Sequence, residues 1–427
     1  MNLLSTTLWS GIATTLRLGS GLVVAKMVVM AGGPAALAVF GQFQNFLVLI
    51  AGVSGALFQS GIVKYAAEHR DNKDELAGML ATAIKLSTII ALAGSAVLLL
   101  FHKEIANLVL HQSGWSSLFL VTGILLPLLV TNGIALALLN GMGQIRHYLL
   151  LNALTAFINM LAVVILSLWN GVEGALYGLL VGPILAGLVS VGYAVRIHGR
   201  VLSVARHSTI DRAWIKRLGQ FAIMSLTSLL TYALLPMAIR DELVNQIGWQ
   251  EAGYWQAVWQ VSGAYLGILT AGFSVYYLPK LSRLTLDEDI RQEMLAFYRT
   301  AMPLVLLTGG LVYLLREPLL RLLYSDKLLP AAPLFVWQIV GDMLKISSWV
   351  MSYMLVTKKM TAWYIGSELA FVGLTYLANL VLIPIIGVLS PVIVYASMYA
   401  AYAVFIYLLV GRRYLWKRKV NLLSTLV

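Results

Sequence analysis

Residues 36–63 read ALAVFGQFQNFLVLIAGVSGALFQSGIV, 28 consecutive positions from Ala36 to Val63 without a charged side chain. A hydrocarbon core about 30 Å thick is crossed by roughly 20 helical residues, so this stretch is long enough to span it. Inside lipid only a helix or a closed barrel satisfies its own backbone. Barrel strands are segments of ~10 residues with alternating polarity, and this stretch is far longer and does not alternate. It is a membrane helix. A second uncharged run of 28 residues, Ala252–Pro279, repeats the pattern, and each run ends in a lysine, Lys64 and Lys280.

Working outward, apolar runs place twelve spans near 7–30, 36–63, 76–101, 116–140, 147–169, 173–195, 217–240, 252–279, 295–315, 333–357, 361–383 and 388–410. Gly32-Gly33-Pro34, Asn170-Gly171 and the segment from Ile383-Pro384 to Pro391 are turn or breaker clusters between them. The composition agrees. The 427 residues are 60% hydrophobic and 11% charged, with mean hydropathy +0.84, whereas soluble domains carry about a quarter charged residues. Met1 to Ser10 lacks a basic start followed by a small-residue cleavage site, so the first run is expected to be retained as a span. The expected fold class is an all-α polytopic membrane protein.

Several functions are excluded or disfavoured at this stage. With no cysteine, disulfides, thiolate metal sites and cysteine nucleophiles drop out. The six histidines (His69, His102, His111, His147, His198 and His207) fall in or beside expected loops without metal-ligand spacing, so neither a metal nor a cofactor is expected. There is no G-x-x-x-x-G-K-[ST] loop to supply ATP hydrolysis. No soluble domain offers room for an active site, so the chain is not expected to be an enzyme.

The net charge of +12 is topological. With both termini cytoplasmic, the inner loops hold Lys64, Arg70, Lys73, Arg146, Arg196, Arg200, Arg206, Arg212, Lys216, Arg217, Lys280, Arg283, Arg291, Arg299, Lys358 and Lys359. The tail adds Arg412, Arg413, Lys417, Arg418 and Lys419, against Lys103, Arg240, Arg316, Arg321 and Lys327 outside: 21 against 5. That is a positive-inside bias facing anionic membrane lipids, and nucleic acid is not needed as a partner. An offset of 216 lays Lys64 on Lys280 and Gln44 on Gln260. The expected lobes are therefore 1–205 and 206–427, six spans each and alike in orientation, a recurrent transporter plan.

Few charges remain inside spans: Arg17, Lys26, Lys85, Asp342, Lys345 and Glu368. Each is costly in lipid and should face a partner or a wet cavity. Arg17 lies about ten residues into its span, roughly 15 Å deep, near the midplane. Lys85 is at similar depth. The bland reading of both is a structural ion pair or a snorkelling stem. The first half offers no intramembrane carboxylate to pair with them, which favours a site for an anion. Lys26, nine residues beyond Arg17, points from the opposite face of a straight helix and can snorkel outward.

In the tenth span Gln338, Asp342, Lys345, Trp349 and Ser352 recur at helical spacing as one polar stripe. Asp342 and Lys345 at i, i+3 can neutralise each other locally. The functional reading is a proton- or cation-sensitive switch in which Glu368, one span on, competes for Lys345. Asn45, Gly52 and Gln59 share a face of span two, and Gln256, Gln260, Gly263, Gly267 and Ser274 share one of span eight beside Trp255 and Trp259. Small residues there favour close helix packing; the amides and indoles equally suit sugars.

Gly253–Ser262 (GYWQAVWQVS), Thr270–Arg283 (TAGFSVYYLPKLSR), Trp337–Lys345 (WQIVGDMLK) and Gly61–Tyr65 (GIVKY) carry a resemblance. The chain resembles the Wzx-type polysaccharide flippases of the multidrug/oligosaccharidyl-lipid/polysaccharide exporter superfamily, in the branch serving enterobacterial common antigen and O-antigen. The likeness runs from the Gly32-Gly-Pro34 break to the basic tail. It implies two six-helix bundles in a V around a central cavity. It also implies transport of an undecaprenyl-pyrophosphate-linked oligosaccharide from the cytoplasmic to the periplasmic leaflet of the bacterial inner membrane. Cavity cations are expected to hold the pyrophosphate in such flippases, and Arg17, Lys26, Lys64 and Lys85 are the positions that fit, with Gln256 and Gln260 for the glycan. Expected partners are the lipid-linked glycan, membrane lipids, and the polymerase and chain-length regulator of the same glycan pathway. Two alternatives stand beside this. A cation-coupled drug antiporter of the same superfamily should line its first half with carboxylates, and this chain lacks them. A membrane-embedded glycan polymerase or ligase should carry a large outer loop, and the longest here, about residues 102–115, is too short to hold a site.

Overall fold

In a computed structural model the chain is described over residues 3–284, 286–358 and 360–415. Lys359, Lys417, Arg418 and Lys419 of the inner basic set lie outside the described residues. The described chain is almost wholly helical. In order, the α-helices are α1 (Leu3–Ala51), α2 (Leu57–Glu68), α3 (Lys73–Leu100), α4 (His102–Leu110), α5 (Ser116–Gly141), α6 (Ile145–His207) and α7 (Arg212–Leu229). They continue as α8 (Leu235–Ile247), α9 (Trp249–Arg283), α10 (Asp287–Leu314), α11 (Arg316–Leu323), α12 (Phe335–Thr357), α13 (Thr361–Ile386) and α14 (Leu389–Ile406). Short π-helical turns at Gly52–Ala56, Leu230–Leu234 and Tyr407–Gly411 join or end several of them.

The breakers act where the sequence places them. Gly33 interrupts α1 at φ 72°, ψ −160°, and Gly171 interrupts α6 at φ 53°, ψ −132°. A side chain at either position meets a backbone conformation that L-residues rarely adopt. α1 is therefore two rods joined at a glycine, and α6 is likewise divided at Gly171, with a second kink at His198. Beyond Gly171, Gly174, Gly178 and Gly182 recur every fourth residue and face the first rod of α6. A Cβ at Gly174 would sit 1.8 Å from the Leu166 carbonyl oxygen, and one at Gly178 would sit 2.5 Å from the Val163 Cα. The rods touch backbone to backbone, as small residues allow in membrane helices.

The chain forms two compact units. The first comprises Met1–Val244 with Leu323–Ser325, the second Asn245–Leu322 with Asp326–Val427. In the first, α1 packs along α6, and α5 packs on both α6 and α3. A cluster including Ile62, Leu76, Met79, Leu80, Leu138, Val201 and Leu218 ties α2, α3, α5, the end of α6 and α7 together. Trp214 enters this cluster edge-on to Tyr65. α7 and α8, which supply the seventh span, thus belong to the compact unit of the first six. In the second, α12 packs against α9, α10, α13 and α14, and Tyr277, Leu281, Met294, Met354 and Ile406 fill its core.

The segment 102–115, expected to be a loop, holds a helix. α4 buries Ala106, Val109 and Leu110 and leaves Leu108 74% exposed. α11 is a second short helix outside the expected spans.

Candidate functional site

The four cations expected to line an anion site sit on three helices of the first unit. Arg17 is exposed and Lys26 half-buried, both on the first rod of α1. Lys64, on α2, is exposed; its amine lies 3.7 Å from Glu68 and 5.1 and 5.3 Å from the ring centroids of Tyr65 and Phe221. Lys85, on α3, donates to the Ser208 carbonyl at 2.5 Å. Three of the four are therefore surface or partly exposed groups on α1 and α2, and the fourth is committed to the backbone beyond α6.

Arg240 differs from its sequence-based placement. Assigned there to an outer loop, it lies on α8 and is 1% exposed. Its Nη1 donates to Gln42 Oε1 at 2.8 Å, and Gln42 Nε2 donates to the Met237 carbonyl at 3.3 Å. The neighbouring Asp241 meets His111 Nε2 at 2.7 Å, at the left-handed residue that closes α4. Hydropathy ends a span at the first charged residue, and Arg240-Asp241-Glu242 ended it too early.

The second unit holds the more developed polar site. Asp342 on α12 is fully buried, and its two oxygens are shared among four donors. Ser262 Oγ donates to Oδ2 at 2.7 Å, and the Tyr265 hydroxyl donates to the same oxygen. Tyr395 Oη donates to Oδ1 at 2.8 Å and Gln338 Nε2 to Oδ1 at 3.2 Å. Gln338 also donates to Ser262 Oγ at 3.1 Å. A carboxylate with two donors on each oxygen is held as an acceptor. Gly341 makes the arrangement possible. A Cβ there would stand 2.2 Å from the Tyr395 ring, so only glycine lets α14 bring that hydroxyl to Asp342.

Lys345, one turn on, projects its amine toward three rings, 5.4 Å from the centroid of Trp349, 5.8 Å from Tyr395 and 5.5 Å from Tyr399. That is cation–π distance. The site holds Asp342 and Lys345 one turn apart on α12, with Glu368 on the neighbouring α13. It adds Ser262 and Tyr265 from α9 and Tyr395 from α14, which sequence spacing could not supply. On α9, Gln256 is buried and Gln260 partly exposed. Trp255 and Trp259 stand 5.7 Å apart, and Trp259 meets Tyr395 edge-on at 5.7 Å. The glutamines expected to meet sugar share α9 with Ser262 and Tyr265, which bond Asp342.

No protein-family model matches the chain. Among solved structures, an inward-facing multidrug resistance MATE family transporter of the MOP superfamily superposes with TM-score 0.73 at 18% identity, over 93% of each chain. The lipid II flippase MurJ, in its inward closed conformation, gives TM-score 0.70 at 14% identity over 95% of this chain and 87% of that one. A MOP superfamily transporter from Pyrococcus furiosus gives 0.62 at 14% identity, over 95% and 94%. The fold is the one these MOP superfamily proteins share, all-helical and polytopic. Sequence goes further: the chain is 31% identical over 427 residues to the lipid III flippase of Escherichia coli strain K12, covering 98% of this chain and all of that one, and equally to that of Shigella flexneri. The chain belongs to the lipid III flippase family.

Proposed function

We propose that this flippase carries an undecaprenyl-pyrophosphate-linked oligosaccharide, an enterobacterial common antigen or O-antigen unit, from the cytoplasmic to the periplasmic leaflet of the bacterial inner membrane. The observation that carries the reading is 31% identity with a lipid III flippase over 98% of the chain and all of that relative, joined to a first half whose spans carry cations and no acids in the sequence.

The proposed architecture is twelve spans in two six-helix bundles working by alternating access, with both termini cytoplasmic. Nine described helical stretches are long and apolar enough to cross a membrane. Two of them, of 56 and 63 residues, contain the Gly33 and Gly171 breaks and suffice for two crossings each. α9, 35 residues long, is the twelfth; at 1.5 Å per residue it reaches about 52 Å.

Arg17, with Lys26 and Lys64, is proposed to hold the diphosphate. A guanidinium grips phosphate bidentately and keeps its charge when desolvated. Gln256 and Gln260, beside Trp255 and Trp259, are proposed glycan contacts. Asp342, Lys345 and Glu368 form the proposed coupling element: Lys345 leans toward one carboxylate or the other, and the two arrangements bias the two access states. The lipid tail stays in the bilayer throughout. The polymerase and chain-length regulator of the same pathway are proposed to receive the product.

The test is genetic and chemical. In cells lacking their own lipid III flippase, this chain should restore export, and its loss should pile up one undecaprenyl-linked intermediate on the cytoplasmic side. Export unchanged by the chain, with no intermediate accumulating on its loss, would remove the proposal. A drug antiporter of the same fold would instead change drug efflux and leave the glycan untouched.

A further inference from the structure

The short connector between α6 and α7 is seated on α3 by two side chains. α6 ends at Ser208, whose N–H and Oγ both bond the Val204 carbonyl, at 3.0 and 2.9 Å. α7 begins at Asp211, whose Oδ1 accepts from the Ala213 N–H at 2.8 Å. Between these caps lie only Thr209 and Ile210. Lys85 Nζ donates to the Ser208 carbonyl at 2.5 Å, and the Asp211 N–H donates to Thr82 Oγ1 at 3.2 Å. Thr82 and Lys85 stand at i, i+3 on α3 and therefore share a face. One grips each end of the connector.

We propose that Lys85, with Thr82, is a positioning residue that fastens the connector between the two sets of six spans to α3, and that this grip sets the rate of the transport step while leaving substrate binding alone. The proposal rests on the flippase reading for its transport readout.

Three observations support it. An ammonium placed on the carbonyl end of a helix meets the negative end of its dipole, so Lys85 is matched to the end of α6 electrostatically. Helical side chains lean toward the N-terminus of their helix, so the amine of Lys85 reaches toward the start of α3, where the connector lies. The connector also has little slack. Its two free residues join a finished helix to a capped one, and Trp214, one turn into α7, is 3% exposed within the α2–α3 core. Moving α7 against α3 must therefore break the Lys85 and Thr82 bonds or carry α3 along. Among the four cations expected to meet substrate, Lys85 is the one whose amine bonds this junction.

The experiment uses the full-length protein in lipid nanodiscs and proteoliposomes. Amide hydrogen exchange of residues 208–212 is followed in the wild type, Lys85→Met, Lys85→Arg and Thr82→Val. Binding and flipping of a short-chain prenyl-pyrophosphate monosaccharide are measured on the same proteins. Lys85→Met and Thr82→Val should each speed connector exchange at least tenfold. Flipping rate should change severalfold while the probe's Kd stays within about twofold, and Lys85→Arg should restore both. Unchanged connector exchange in Thr82→Val and in Lys85→Met overturns the grip. So does a tenfold loss of probe affinity in Lys85→Met, which would make Lys85 a substrate ligand. Should Lys85→Met not reach the membrane, Thr82→Val decides alone. Exchange needs no substrate, so a wild type that flips no probe counts against the flippase reading, and the connector's exchange still judges the grip.

Discussion

Arg240 and Gln42, 198 residues apart in the chain, meet inside the first unit with Nη1 donating to Oε1 at 2.8 Å. The bond ties α8 to the second rod of α1, and its loss should be asymmetric. Gln42→Leu leaves a buried guanidinium without that acceptor, a cost of about 3 kcal/mol or more. Arg240→Met removes the charge together with its donors, so the Gln42 amide oxygen loses that donor at a cost of about 1–3 kcal/mol. Thermal unfolding in detergent should rank Gln42→Leu below Arg240→Met and both below wild type. The reverse order would mean that the charge is accommodated elsewhere.

Arg17 is the position where substituting one cation for another is most informative. Arg17→Ala should reduce glycan export at least tenfold with normal protein in the membrane. Arg17→Lys should recover only part of it, because an ammonium cannot hold a diphosphate with two parallel bonds. Normal surface glycan in Arg17→Ala would sink the diphosphate assignment.

Asp342→Asn offers one acceptor oxygen where the carboxylate offers two, and its NH2 group must be met by hydroxyls that turn to accept. That exchanges charge-assisted bonds for neutral ones, a cost of about 1–2 kcal/mol. Tyr395→Phe removes a single donor and should cost about 1 kcal/mol. Flipping across an imposed pH gradient should respond to that gradient in wild type and lose the response in Asp342→Asn. Equal ΔpH dependence in both proteins would exclude Asp342 from coupling.

Lys64 and Lys280, which the 216-residue offset aligns, have different partners. Lys280 meets Glu293 at 2.5 Å, and that carboxylate's side chain is 10% exposed; Lys64 and Glu68 are 3.7 Å apart and both about half exposed. Lys280→Met should lower the melting temperature clearly, because it leaves a buried carboxylate without that cation. Lys64→Met should change stability by no more than about 0.5 kcal/mol. A transport defect in Lys64→Met at unchanged stability would support its contact with substrate.

Much of the fold was legible because lipid enforces one pattern. Charge-free runs show as spans, and Gly33, Gly171 and Gly387 carry positive φ at the three places where breaker clusters divide them. The site was half legible. Gln338, Asp342 and Lys345 recur on one helix, so spacing finds them. Ser262 and Tyr395 stand 80 and 53 residues from Asp342, and a hydroxyl in a membrane helix has many uses. Arg240 was misplaced because its charge reads as the edge of lipid, when it lies buried on a helix and bonds an amide from the other end of the unit. The contact made by Lys85 leaves no trace in composition, since its acceptor is backbone. α4 was hidden by its polar positions, which on a short helix look like loop.

The π-helical turn at Gly52–Ala56 alters how the long uncharged run should be viewed. It adds one residue to the winding, so everything beyond it is rotated by about 100° relative to an unbroken α-helix. Asn45, Gly52 and Gln59, in phase on an ideal helix, fall out of phase: Gln59 comes round to a neighbouring azimuth, like a screw whose thread skips once. The two ends of this span therefore show different faces to their surroundings. Migration of the skip by one turn toward the cytoplasmic end would re-aim the residues it passes, Gln59 among them, and leave Lys64 where it is, a local rotation that a straight helix could achieve only by unwinding.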